Sequence, residues 1–238
     1  MQGAEASALT AATAAGATGP VINKYAGSNL AAQVDATQAQ QAGTPYGISY
    51  TDVDTAGLGY TNGDAYSGPV AGLEHQYIWG SAHKVAIGAS TNNVFLHGGS
   101  GDDAISVVGG TNVLDGGAGS NFLVGATGSS VDTFFVDGRG GNVTWSTIVN
   151  FHAGDSATIF GFNPGVSTQP FTALDGIGGY QGLTIHSELG GAGTGVNASM
   201  TFAGIDQATA DAHFTITSGA LGAGTANSTG YLYIQYNR

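Results

Sequence analysis

Between residues 98 and 124 the chain reads GGSGDDAIS, VVGGTNVLD and GGAGSNFLV, three nines in succession. An oxygen-bearing side chain returns at the sixth place of each, as Asp103, Asn112 and Asn121. Glycines crowd the first places, where the missing Cβ permits positive φ and a sharp reversal. Turns of this kind expose backbone carbonyls beside a carboxylate or amide, and calcium prefers such hard oxygen donors. A short fixed period also means that the chain coils. With two nines to a circuit, loops eighteen residues apart lie above one another on one edge, so Asp103 faces Asn121. A cation between them takes both side chains and the carbonyls of the turns holding Gly99, Gly101, Gly117 and Gly119. The opposite edge carries Asn112 and, after a longer loop, Asp132.

The eighth place of each nine holds these turns from inside. Leu96, Ile105, Leu114 and Leu123 fall nine apart, an aliphatic row pointing to the axis of the coil. Phe134 continues it if GATGSSVD (125–132) carries two extra residues. HQYIWG (75–80), HKVAIGA (83–89) and NNVFLHGG (92–99) read as strands leading in. TFFVDG, NVTWSTIVNF, ATIFGF, GLTIHSEL, ASMTFAG, HFTITSG and YLYIQY read as strands following, most of them separated by Gly, Asn or Asp. Upstream, SNLAAQVDATQAQQAG (28–43) is predicted as a weakly amphipathic helix, capped by Ser28 or Asn29 and marked by the pair Leu30 and Val34. The predicted fold is all-β. A flexible arm (1–27) precedes a segment of helix, Tyr/Gly-rich loops and short strands (28–74). A short parallel β-roll (75–137) then continues into a C-terminal antiparallel β-sandwich (138–238).

Composition removes several classes of function. Charged residues are 8% of the 238, against roughly 25% in an ordinary globular chain. Sixteen acidic residues and four basic ones give a net charge of −12, which repels phosphate backbones and anionic membranes. Nucleic acid is therefore not an expected partner. No stretch has the length and apolarity of a membrane span, so insertion is not expected either. Cysteine is absent, which excludes disulfides, thiolate zinc sites and a cysteine nucleophile.

Catalytic motifs are missing as well. There is no H-E-x-x-H, G-x-S-x-G, phosphate-binding loop or dinucleotide fingerprint. The six histidines, at 75, 83, 97, 152, 186 and 213, are scattered over separate strands and read as surface or strand-edge residues, with a cluster binding a transition metal or haem as the alternative. Asp52, Asp54 and Asp64 lie in the Tyr-rich YGISYTDVDTAGLGYTNGDAY (46–66), which reads first as an Asx-turn loop, with a sugar-stacking surface or a glycoside-hydrolysing carboxylate pair as the alternatives. The chain is not expected to be an enzyme.

GGSGDDAIS resembles the nonapeptide of the RTX (repeats-in-toxin) β-roll, GG-x-G-x-D-x-U-x, at every defined position. GGAGSNFLV matches it with Asn121 in place of Asp, and residues 132–162 resemble the segment that closes such rolls. The resemblance covers about residues 75–165, and VVGGTNVLD departs from it in its first glycine pair and in Asn112. It implies a parallel β-roll that binds Ca2+, and export through a type I channel without an N-terminal signal. One calcium site is then expected between Asp103 and Asn121, and at most a weaker one near Asp132; the alternative is a metal-free coil whose Asn and Asp side chains form the turns and ladder by hydrogen bonds alone. At free calcium of about 100 Kd, one such site adds roughly 2.7 kcal/mol to folding. The expected function is that of a secreted, calcium-stabilised structural or adhesive protein, a self-associating subunit of a surface layer, filament or matrix. A module binding a cell-surface glycan, or the C-terminal carrier of a larger exported protein, are the alternatives.

Overall fold

Short strands divided by glycine-rich turns have too little length to bury a face alone, and here they do so by stacking in two sheets. The computed structural model describes residues 48–52, 73, 75–78, 85–89, 92–98, 101–138, 143–169, 171–221 and 229–238. The arm (1–27), the helix (28–43) and most of the Tyr-rich stretch fall outside them. The strands are β1 (Ile48–Asp52), β2 (His75–Ile78), β3 (Val85–Ala89), β4 (Val94–His97), β5 (Ala104–Val107), β6 (Thr111–Asp115), β7 (Gly119–Val124) and β8 (Val131–Asp137). They continue with β9 (Thr144–Val149), β10 (Ser156–Phe160), β11 (Phe171–Asp175), β12 (Gly182–Ser187), β13 (Ala198–Ala203), β14 (Phe214–Leu221) and β15 (Thr229–Tyr236). One helix, α1 (Gln207–His213), precedes β14.

The first sheet runs β1-β3-β5-β7-β9-β13-β12-β11 and the second β14-β15-β10-β8-β6-β4-β2. From β2 to β10 successive strands alternate between the sheets, and from β4 onward each pairs in parallel with the strand two before it. The nine-residue period is the cause. A turn and a short strand carry the chain across to the other sheet, and the next nine bring it back one rung higher. Ile87, Ile105, Leu123 and Ile148 stand in register across the first sheet, and Leu96, Leu114, Phe134 and Ala157 across the second. All eight are buried in one core, at 2% exposure or less. Phe134 takes the place after Leu114 across the longer loop.

The architecture is thus mostly β, with two mixed and largely parallel sheets and a single helix among the described residues. The antiparallel sandwich expected over 138–238 is not a separate pair of sheets. β9 and β10 join the existing sheets in parallel, and β13 adds to β9 in parallel too. Antiparallel pairing is confined to β11-β12-β13 at one end and to β10-β15-β14 at the other, besides β1 on β3. The reason lies in the core: Ile148 and Ala157 extend the rows that the repeats begin, so the last rung is covered by more of the same sheet. Two elements have no counterpart in the sequence reading. β11 is short, and α1 is capped by Asp206, whose carboxylate accepts the Thr209 N–H at 2.8 Å.

Candidate functional site

Each turn of the coil returns a side chain from the sixth place across its own first residues. A Cβ at Gly98 would lie 2.5 Å from the Asp103 carboxylate, and one at Gly116 as close to the Asn121 amide. The leading glycines are therefore the space into which the sixth side chain folds. Gly119, at φ +87°, sits against the Gly101 carbonyl of the rung before, and a Cβ there would overlap it. Gly117, at φ +72°, makes the reversal itself.

Gly101, Asp103, Gly117, Gly119 and Asn121 lie together on one edge, while Gly99 falls outside the described residues. The Asp103 N–H donates to Asn121 Oδ1 at 2.9 Å. That bond fixes the amide, so Asn121 Nδ2 points at the turn and donates to the carbonyls of Ala118 at 3.1 Å and Gly117 at 3.4 Å. Thr144 Oγ1 donates to the Gly117 and Gly119 carbonyls as well, at 3.3 and 3.2 Å. Beside them, Asp102 Oδ1 accepts the Ser120 N–H at 2.8 Å. Asp115 Oδ1 accepts the Gly117 N–H at 2.9 Å, while its Oδ2 lies 3.2 Å from His97 Nδ1.

Asp132 stands on the opposite edge, in a ladder that ties four rungs. Asn112 Oδ1 accepts the Val94 N–H at 3.2 Å, and Asn112 Nδ2 donates to the Gly109 carbonyl at 2.8 Å and to Asp132 Oδ1 at 2.7 Å. Asp132 Oδ2 accepts the Ala126 N–H at 2.6 Å. The Asp132 N–H in turn donates to Asp155 Oδ1 at 2.8 Å, and Asp155 Oδ2 accepts the His152 N–H at 3.0 Å. Burial raises the proton affinity of both carboxyls. Asp155 is pushed up to about 6, with the Asp132 charge adding to the effect and the two N–H bonds and His152 opposing it. Asp132 rises for the same first reason, against the bonds from Asn112 and Ala126 and the nearby His152.

Sequence reading placed Asp103 opposite Asn121, and the edge brings them together. It also put Asn112 and Asp132 on one edge, but it did not join Asp155 or His152 to them. The signal was present in VDTFF and GDSAT, where an Asp stands at the start of a strand, but their spacing of twenty-three is not a multiple of nine.

Calcium asks for six to eight oxygen ligands. On the first edge an amide N–H, not an oxygen, faces the turn carbonyls. On the second, all four carboxylate oxygens of Asp132 and Asp155 already accept an N–H. No three His, Asp or Glu side chains converge among the described residues. As arranged, Asn121 on the first edge and the Asp132 and Asp155 carboxylates on the second complete the hydrogen bonds of the turns. Comparison with protein-family models, with curated proteins and with solved structures finds no match.

Proposed function

We propose that this is a secreted structural or adhesive protein without catalytic machinery, whose copies join edge to edge. The coil of β2 to β10 is read as a β-roll of the RTX kind, in which Asn and Asp ladders do in part what calcium does elsewhere. The nine-residue register and the alternation of strands between two sheets support that reading. Calcium, which the resemblance implies, enters only by displacing the bonds of Asn121 to its turn.

The observation that carries the assembly is β14. It ends the second sheet, and among the described residues no strand pairs with its outer edge. At eight residues it is longer than β1, β2 or β11, the other terminal strands. β11 is interrupted by a register shift between Thr172 and Asp175, which protects an edge, whereas β14 runs without one. FTITSGAL carries no charge and no proline, so nothing in it resists a second copy. In a molecule of net charge −12 such a strip is where like molecules can approach. Phe214 and Ile216 pack inward while Thr215 and Thr217 stay exposed, so antiparallel pairing of two copies would extend the inner apolar row and the outer threonine row together.

Sedimentation and light-scattering mass against concentration, at about 0.15 M salt where the charges are screened, tests this. Reversible association is expected, and Thr217→Lys should abolish it while the thermal transition stays in place. A monomer at every concentration, or association indifferent to that lysine, would reject the reading.

A further inference from the structure

The outer face of the first sheet carries a second, unrelated arrangement. Ser120, Trp145, Ser199 and His186 stand opposite one another on β7, β9, β13 and β12, and Phe122, Thr147, Thr201 and Thr184 form the next row. Most of an open sheet face meets water, yet Thr201 and Thr184 are fully buried. The hairpin between β11 and β12 covers them. Its Tyr180 reaches back to Phe122 on β7, ring centroids 4.6 Å apart and edge to face. β7 lies three strands in from β12, roughly 14 Å at the usual strand spacing. Between hairpin and sheet is a groove of about 430 Å3 lined by Phe122, Trp145, Asp175 and Ile177 among others. That volume lies within the roughly 300–1,000 Å3 of small-molecule sites.

The groove is prepared in a way a merely solvated face would not be. The Trp145 indole N–H is spent on Thr201 Oγ1 at 2.9 Å, and Thr201 is held by Thr184 Oγ1 at 2.8 Å, so the ring is fixed. His186 meets the indole edge to face, at 5.2 Å between centroids. Its Nδ1 lies 2.8 Å from Ser199 Oγ and its Nε2 2.8 Å from Asp175 Oδ2. The groups are those of a hydrolytic relay, but Ser199 is 2% exposed and out of reach of any substrate. The chain therefore orients the imidazole and the carboxylate. Asp175 Oδ1 accepts the Gly176 N–H at 2.7 Å, and the residue lines the groove. Ile177 and Tyr180 of the same hairpin are 67% and 44% exposed, apolar surface held out over the opening.

We propose that this groove binds a neutral pyranoside, one or two sugar units of a larger glycan. A sugar ring has an apolar C–H face to lie against Trp145 and Phe122 and hydroxyl donors for the Asp175 carboxylate and Ser120. Anionic ligands are repelled by Asp175 and by the molecule as a whole. The site lies on the other sheet from the β14 edge, and its fate does not depend on self-association.

Titration calorimetry of the full chain with cellobiose, maltose and N,N′-diacetylchitobiose, and with tetramethylammonium chloride as an organic cation, tests the assignment. Binding of at least one disaccharide is expected. Trp145→Phe and Asp175→Asn should each weaken it about tenfold or more, the equivalent of about 1.4 kcal/mol. Ile177→Ser, on the exposed hairpin, should weaken it with the melting temperature unchanged and so separates binding from folding. No disaccharide bound, binding unmoved by all three substitutions, or binding of tetramethylammonium alone would overturn the proposal.

Discussion

The backbone N–H of Asp132 donates to the carboxylate of Asp155 at 2.8 Å, so two carboxyl groups from successive rungs stand in one buried row. Asp155 is fully buried and Asp132 is as well. Their charges are held by N–H donors alone, with His152 Nδ1 3.0 Å from Asp155 the nearest basic group. This makes the row sensitive to protons.

A carboxyl whose folded pKa is raised binds its proton more tightly in the folded state, so it adds stability as the pH falls. For Asp155 the ordinary 3.8 becomes about 6. The cost of its buried charge is full above pH 6 and is lost as the pH falls through about 6 to 4, an effect on the order of 3 kcal/mol. Asp132 shifts in the same direction. Urea midpoints should therefore rise from pH 7.5 to pH 5, and Asp155→Asn should flatten that slope whatever it does to the stability at either end. An unchanged slope in the variant would place the pH response elsewhere.

Asn121 presents N–H groups where a calcium site needs oxygens. With Asn121→Asp the side chain keeps an acceptor for the Asp103 N–H and loses the donor toward Gly117 and Ala118. The variant should gain more thermal stability from 5 mM calcium, relative to chelator, than the native chain does. Equal shifts would mean that the amide is no obstacle to the ion.

Asn112 is fully buried and serves three rungs at once. Asn112→Ala leaves the Val94 N–H, the Gly109 carbonyl and Asp132 Oδ1 short of a partner. Orphaned buried groups cost roughly 1–3 kcal/mol each, partly relieved by relaxation, so a loss of about 3 kcal/mol in denaturant unfolding is expected. A loss under about 1 kcal/mol would show that the ladder contributes little.

Gly119 and Gly128 offer a paired comparison. Both have positive φ, +87° and +83°, but a Cβ on Gly119 meets the Gly101 carbonyl while one on Gly128 meets nothing within 4 Å. Gly128→Ala should cost only the backbone strain, about 1–2 kcal/mol. Gly119→Ala should cost clearly more, or prevent folding, because the rungs must part. Equal costs by calorimetry would remove rung contact as the reason for that glycine.

Much of this molecule was legible in its nines. A period of nine with an aliphatic at the eighth place can bury that residue in only one way, by returning it to the same axis every rung. Leu96, Ile105, Leu114 and Leu123 do so in both sheets. The pairing of Asp103 with Asn121 followed from the same count. What the period could not carry was the end of the repeat. Beyond Asp137 the spacing lapses, and whether a strand extends the coil or doubles back depends on which row of the core is still open. Ile148 and Ala157 continue those rows, so β9 and β10 stay parallel, a decision that local strand propensity does not contain. The ladder through Asn112, Asp132 and Asp155 and the groove between Trp145 and Asp175 have the same origin. Their members lie twenty to thirty residues apart, in strands that read alike, and only sheet order brings them within a hydrogen bond or across one opening.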